Sequence, residues 1–349
     1  ILTQAKRDKI APISIFFLLF ISRIVVSLTN VQSVTTGLMQ TDILISVLAS
    51  MGLTLIFSLP AIYCYKKHKS PFDVKWVGFF YSLYFIYLAG VNISRFSYFA
   101  STTINPNSQG WIYSVVVAVC AFYGAYLGIE ALSRFSAFIF VLLFGSILVA
   151  LFCNLKNYQE INLYPVITNN TNDILKNIVF MTSSSSEMVI FLCLSKKVNG
   201  KAVKPFVWSV IATFFMIFLL LLFVVAIMGD AASLQAFPLY TMFQLAKIGI
   251  FERIDVLYIS FWIFGVFIKA VLLIYCAGIA FKPMKKSIKN AVSAMIALVV
   301  AVCLTEFVQV NNISPVVYAI PFSLFCIVIP VLTLIFKKRN FGDELVEKF

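Results

Sequence analysis

The stretch Lys176-Asn-Ile-Val-Phe-Met-Thr-Ser-Ser-Ser-Ser-Glu-Met-Val-Ile-Phe-Leu-Cys-Leu-Ser195 is apolar towards both ends and polar in the middle. Its length suits one crossing of a bilayer, which takes about 20 residues. At its centre stand five consecutive hydroxyl side chains, Thr182 to Ser186, and the carboxylate of Glu187. Serine competes for backbone hydrogen bonds and is a poor helix former. Two readings follow: a membrane helix interrupted at its midpoint, or a serine-rich packing face whose Glu187 binds a neighbouring span. The run of hydroxyls favours the interruption, and a broken helix exposes the N–H groups of its second half to a small anion.

The rest of the chain supports a membrane setting. Of its 349 residues, 61% are hydrophobic and only 12% charged, and the mean hydropathy is +0.98. Soluble domains are about half apolar and about a quarter charged, so soluble, disordered and disulfide-stapled classes are excluded. Barrel strands alternate apolar and polar residues over about ten positions, whereas the apolar runs here are continuous. The expectation is an all-α polytopic membrane protein forming a single membrane domain over 1–349.

Apolar runs between polar breaks give ten spans, at about 11–34, 42–65, 74–98, 111–131, 134–155, 176–195, 205–228, 254–281, 288–309 and 314–336. Drawn this way, 20 of the 27 Lys and Arg fall on one side, in clusters such as Lys66/Lys67/Lys69 and Lys196/Lys197/Lys201/Lys204. By the positive-inside rule both termini are cytoplasmic. The net charge of +13 thus sets topology and contacts lipid headgroups; no nucleic-acid partner is expected. The first apolar run lacks a cleavage pattern and is expected to stay as a helix. Residues 229–253 form an outer loop in which Leu239, Met242, Phe243, Ala246 and Ile250 recur at helical spacing.

Enzyme signatures are missing. The one histidine, His68, sits in a lysine-rich loop, so His-based triads and multi-His metal sites have no material. No Walker loop or GxGxxG is present, and neither catalysis nor a cofactor or metal is expected. The seven cysteines fall in or at the ends of apolar runs and read as packing residues.

Charges inside spans are costly and become functional candidates by default. Arg23 lies about 18 Å into the first span at the helical rise, in Ser22-Arg23-Ile-Val-Val-Ser-Leu-Thr-Asn30. Local unwinding beside a cavity and a continuous helix with Arg23 paired internally both remain open. Lys269 is near the middle of the eighth span, with Gly265 one turn before it on the same face. It could stand in for a coupling cation, carry a proton, or bridge two spans as a fixed cation. Arg95, nearer the outer end of the third span, is read as a snorkelling structural or gating residue. Glu130 and Arg134 fit an (i, i+4) ion pair, and Glu252 and Arg253 are structural or gating residues opening the eighth span. Tyr81, Tyr84 and Tyr87 are aromatic core by default or pocket lining.

The sequence resembles the endospore germination permeases, the B subunits of nutrient germinant receptors, in the amino acid, polyamine and organocation transporter superfamily. The most specific stretch is Phe237-Pro-Leu-Tyr-Thr-Met-Phe-Gln-Leu-Ala-Lys-Ile-Gly-Ile-Phe-Glu-Arg-Ile-Asp255, followed by Trp262 and the run to Lys269. Tyr123-Gly-Ala-Tyr-Leu-Gly-Ile-Glu-Ala-Leu-Ser-Arg134, Leu163-Tyr-Pro165, Arg95 and Glu187 are similar to further family positions. The resemblance implies a LeuT/APC-like fold of two inverted five-helix repeats, here 11–155 and 176–336, with the first and sixth helices discontinuous. It also implies an inner spore membrane location, a small-molecule germinant such as an amino acid, and A-type and lipoprotein C-type partner subunits. Two departures stand out: the first span lacks the family's usual glycine and proline, and Ser186 replaces the glycine before Glu187.

On these grounds Ser22, Arg23, Tyr87, Ser184, Ser185 and Glu187 are the expected ligand-binding residues, with Lys269 as the charge that sets the pocket or replaces a cation. Besides a germinant receptor subunit, two alternatives are a self-sufficient proton-coupled permease for amino acids or organic cations and a structural subunit with a vestigial pocket.

Overall fold

The computed structural model describes residues 9–34, 41–165, 171–247, 255–281, 286–308 and 315–336. The first five spans are α1 (Pro12–Val34), α2 (Asp42–Lys66), α3 (Lys75–Phe99), α4 (Gly110–Leu127) and α5 (Ile129–Cys153). The sixth is split into α6 (Thr171–Ser183) and α7 (Glu187–Leu194). The seventh is α8 (Val203–Met228), and a short α9 (Pro238–Leu245) lies in the loop that follows it. The eighth and ninth are α10 (Asp255–Ala280) and α11 (Lys286–Cys303), and the tenth comprises α12 (Pro315–Phe322) and α13 (Ile329–Phe336). Among the described residues nine of the spans are long and apolar enough to cross a membrane, and α1 contributes the shorter apolar stretch Pro12–Ser27. The chain is an all-α integral membrane protein.

The third, sixth and eighth spans are the most buried, and the ninth and tenth the least. Helix α10 is the hub, packing against α1, α3, α4, α5 and α11. Gly265 permits its close approach to α1: a Cβ built there would lie 2.5 Å from Val25 Cγ2 and 3.3 Å from Ile21 Cγ2. The approach is fixed by Trp262 Nε1, which donates to the Val25 carbonyl at 3.0 Å. On the neighbouring face Asn92 Nδ2 donates to Val266 O at 3.2 Å.

The expected break in the sixth span is found, and its cause is local. Ser185 N donates to Thr182 O at 3.0 Å and Ser186 N to Ser184 O at 3.2 Å, tighter than the helical i→i−4 pattern. The hydroxyls of Ser183 and Ser184 both turn back onto Phe180 O, at 3.1 and 2.7 Å. Phe180 O also keeps its helical bond from Ser184 N at 2.9 Å, so the serine side chains crowd the last carbonyl before the break and compete with the backbone for it.

The expected discontinuity of the first span is not found: Pro12–Val34 is one helix. It holds no glycine, and its only proline is Pro12 at the first turn, where proline is tolerated. The carbonyl of Val25 takes its bond from Trp262 on a second lone pair, which needs no loss of the helical one.

The tenth span is remodelled by proline. Its middle, Ser323–Val328, is a π-helical turn, and Ile329 N donates five residues back to Leu324 O. In that register Pro330, having no N–H, leaves Phe325 O open, and the Tyr81 hydroxyl donates to it at 2.8 Å.

The lysine-rich side is cross-tied. Ile10 N donates to Lys197 O at 2.9 Å and Asn199 N to Ile10 O at 3.0 Å. Lys196 pairs with Asp73 at 2.9 Å, and the Tyr65 hydroxyl donates to Gly200 O at 3.0 Å.

Substituting Gly265→Ala is expected to destabilise the protein by about 1–3 kcal/mol through overpacking against Val25. Thermal unfolding in detergent checks this, and adding Val25→Ala should recover most of the loss; equal stability of Gly265→Ala and wild type would refute the close approach.

Candidate functional site

Four buried side chains from three spans meet at mid-depth. Lys269 Nζ, from α10, donates to the Ser22 carbonyl of α1 at 2.8 Å and lies 3.9 Å from Glu187 Oε1 at the start of α7. Ser22 Oγ donates to the same Glu187 oxygen at 3.4 Å. Lys269 and Glu187 are each only 4% exposed, so neither charge is screened by bulk water. Glu187 is the first residue of α7, and the positive end of that half-helix therefore faces the protein's own carboxylate.

Arg23 does not choose Glu187 as its hydrogen-bond partner. Its Nη2 donates to Met181 O at 2.7 Å, and its guanidinium lies 5.1 Å from the centre of the Phe214 ring. The reason lies in the broken helix. Because Ser185 N turns to Thr182 O, Met181 O loses its usual helical donor, and Arg23 supplies the missing bond, aided by Ser185 Oγ at 3.4 Å.

A cleft runs alongside this cluster. It is small, with a cavity volume of about 40 Å³, room for roughly three waters. Tyr87, Ser184 and Lys269 line it, as do Arg95, Ser186 and Tyr318. Ser22, Arg23, Ser185 and Glu187 are buried but stand outside that lining. The expected binding residues therefore divide into a cleft wall and a packed charge cluster, joined by Lys269.

Arg95 does not snorkel: it is 5% exposed, and its Nη2 donates to the Tyr318 hydroxyl at 2.9 Å. The rings of Tyr318 and Phe180 flank the guanidinium at 5.2 and 6.0 Å. The polar demand of a mid-bundle partner on the tenth span outweighs a reach to the interface. Glu130 and Arg134 form the (i, i+4) ion pair at 2.7 Å on an exposed surface, away from the cleft lining. Glu252 and Arg253 lie outside the described residues. Tyr318, Phe214 and Asn92 were not singled out by sequence reasoning. Asn92 carried the usable signal, an amide inside an apolar span; an aromatic such as Tyr318 carries none in a chain with 36 Phe and 15 Tyr. Among the described residues no cluster of His, Cys, Asp and Glu fits a metal ion.

A helical scaffold broken in its sixth span, with a cleft of mixed apolar and charged lining beside the break, defines a membrane protein of transporter type. The family model described as spore germination protein matches residues 9–313, and the chain belongs to that family. It is a germination-related, transporter-like integral membrane protein. No curated protein matches the sequence. A solved structure of a Na⁺-coupled sialic acid symporter, in a substrate-bound outward-open state, is similar with a TM-score of 0.62. The likeness covers 95% of this chain and 81% of that one at 12% identity, and is one of fold.

Neutralising one member of the Lys269–Glu187 pair strands the other. Lys269→Met and Glu187→Gln are each expected to cost about 3 kcal/mol or more, and the double variant less than their sum. Unfolding of the three variants in detergent measures the coupling; strictly additive losses would dismiss the pair.

Proposed function

We propose that the chain is the membrane subunit of a spore nutrient germinant receptor, which binds a small germinant in a transporter-like cleft and triggers germination with A-type and lipoprotein C-type partners. It resides in the inner membrane of the spore with both termini cytoplasmic. The observation that carries the reading is the cleft at the broken sixth span, with Arg95, Lys269 and Ser184 set among apolar lining residues, in a chain of the spore germination family. Two repeats, 11–155 and 176–336, supply its two walls.

The charge cluster explains how such a protein could signal. The Lys269 ammonium ties the first, sixth and eighth spans, a fixed positive charge where a coupling cation could otherwise act. With the lysine-rich side cross-tied, occupancy of the cleft biases the balance between two arrangements of the bundle. The partner subunits then read that balance, and a ligand shifts it only by its differential affinity for the two.

A self-sufficient permease is the second reading, favoured by the fold shared with a Na⁺-coupled symporter. Spores lacking the gene should lose their response to one nutrient class among amino acids, sugars and salts, and complementation should restore it. Complementation with Lys269→Met or Glu187→Gln should shift the dose response upward or abolish it at unchanged membrane levels. An unchanged response in the deletion, together with uptake by the purified chain in vesicles, would replace the receptor reading with the permease.

A further inference from the structure

The cleft has more buried positive charge around it than the protein neutralises. Arg23 and Lys269 sit with Glu187 in the cluster described above, where Lys269 and Ser22 engage the carboxylate. Arg95 has no such counterpart: among the described residues no carboxylate pairs with it, and its one hydrogen-bond acceptor is the neutral Tyr318 hydroxyl. Aromatic faces offset part of the cost of a buried guanidinium, but a full charge in a span calls for an opposite charge or water.

Three residues of the same cleft each carry a buried polar atom without a partner. The atoms are Arg95 Nε, Tyr87 Oη and Ser186 Oγ, and all three residues line the cleft. Tyr87 and Arg95 are eight positions apart on α3, two turns along one face. Ser186 comes from the broken segment between α6 and α7. Together they offer a planar charged fork and two hydroxyls, with the Lys269 ammonium in the same wall. A carboxylate matches the fork's geometry and charge better than any neutral group does.

We propose that the cleft binds a carboxylate ligand and that Arg95 is the residue receiving it, with Tyr87 and Ser186 donating their hydroxyl protons. This rests on the receptor reading and specifies its ligand class. It places carboxylate recognition on the third span, whereas α7 begins with a carboxylate of the protein's own, Glu187. The Arg95–Tyr318 bond links the third and tenth spans across the cleft. A ligand carboxylate displaces Tyr318 from the guanidinium, and the loss of that link is the local event that couples occupancy to a change in the bundle.

The test uses the purified full-length chain in detergent and follows its thermal stabilisation by amino acids and other small carboxylates, the matching amides, sugars, nucleosides, chloride and phosphate. At least one carboxylate should stabilise the wild type, and its amide should bind at least about tenfold more weakly, as expected for a lost charge-assisted bond. Arg95→Gln should abolish the preference for carboxylate over amide, Arg95→Lys should keep part of it, and Tyr318→Phe should bind the carboxylate at least as tightly as wild type. Equal shifts by carboxylate and amide would overturn the proposal, as would an undiminished preference in Arg95→Gln or stabilisation by chloride or phosphate alone. Such results would leave a ligand-binding receptor standing. Stabilisation by no compound of the panel would overturn the receptor reading itself, and the carboxylate site with it. Should Arg95→Gln prove unfolded, the result with Arg95→Lys decides: wild-type preference there counts against the fork.

Discussion

The bundle depends on one ammonium group. Lys269 leaves the most connected helix and reaches the carbonyl of Ser22 in the first span and the carboxylate of Glu187 in the sixth. Without lipid-opposed hydrophobic force between them, membrane helices associate through packing and buried polar bonds. A charge that satisfies two other spans at once therefore decides how those spans sit. Gly265, one turn away, makes the reach possible, since any larger residue would hold the eighth span off Val25.

The hydroxyl run in the sixth span has a second consequence. By spending backbone donors on near neighbours it leaves Met181 O without its helical partner, and a buried carbonyl in that condition costs free energy. Arg23 answers it. Two features that look independent in the sequence, a serine run and a stray arginine more than 150 positions away, are one interaction in the fold. The first helix stays continuous while the eighth span supplies donors to its carbonyls at Ser22 and Val25.

Much of the fold was legible because bilayer thickness and loop charge act on composition, which the sequence displays directly. The break at Thr182 to Ser186 was legible for the same reason: serine's competition for the backbone is local. Pairing was not. Whether Glu187 meets Arg23 or Lys269 depends on which faces of three helices converge, and residue type alone does not specify a rotation. The family pattern implied a broken first helix, yet Ile21 to Asn30 lacks the residues that break one, and here local chemistry was the better guide. Arg95 was misplaced for a related reason, because its depth in the span suggested an interface while its partner, Tyr318, is indistinguishable in sequence from core.

The two arginines then differ in a way that bears on function. Arg23 is held by a carbonyl and a ring behind the cleft wall, and its neighbourhood includes the Glu187 charge. Arg95 stands in the wall with a neutral hydroxyl and two rings. A protein that needed Arg95 only for structure would gain by replacing it with a neutral residue of similar shape, since buried charges are weak contributors to stability. Retaining a guanidinium beside the cleft, with its Nε unpartnered, costs stability that an incoming anion would return. On the proposed reading that return is available only when an anion occupies the cleft, and such a difference between occupied and empty states is what a receptor must convert into a signal.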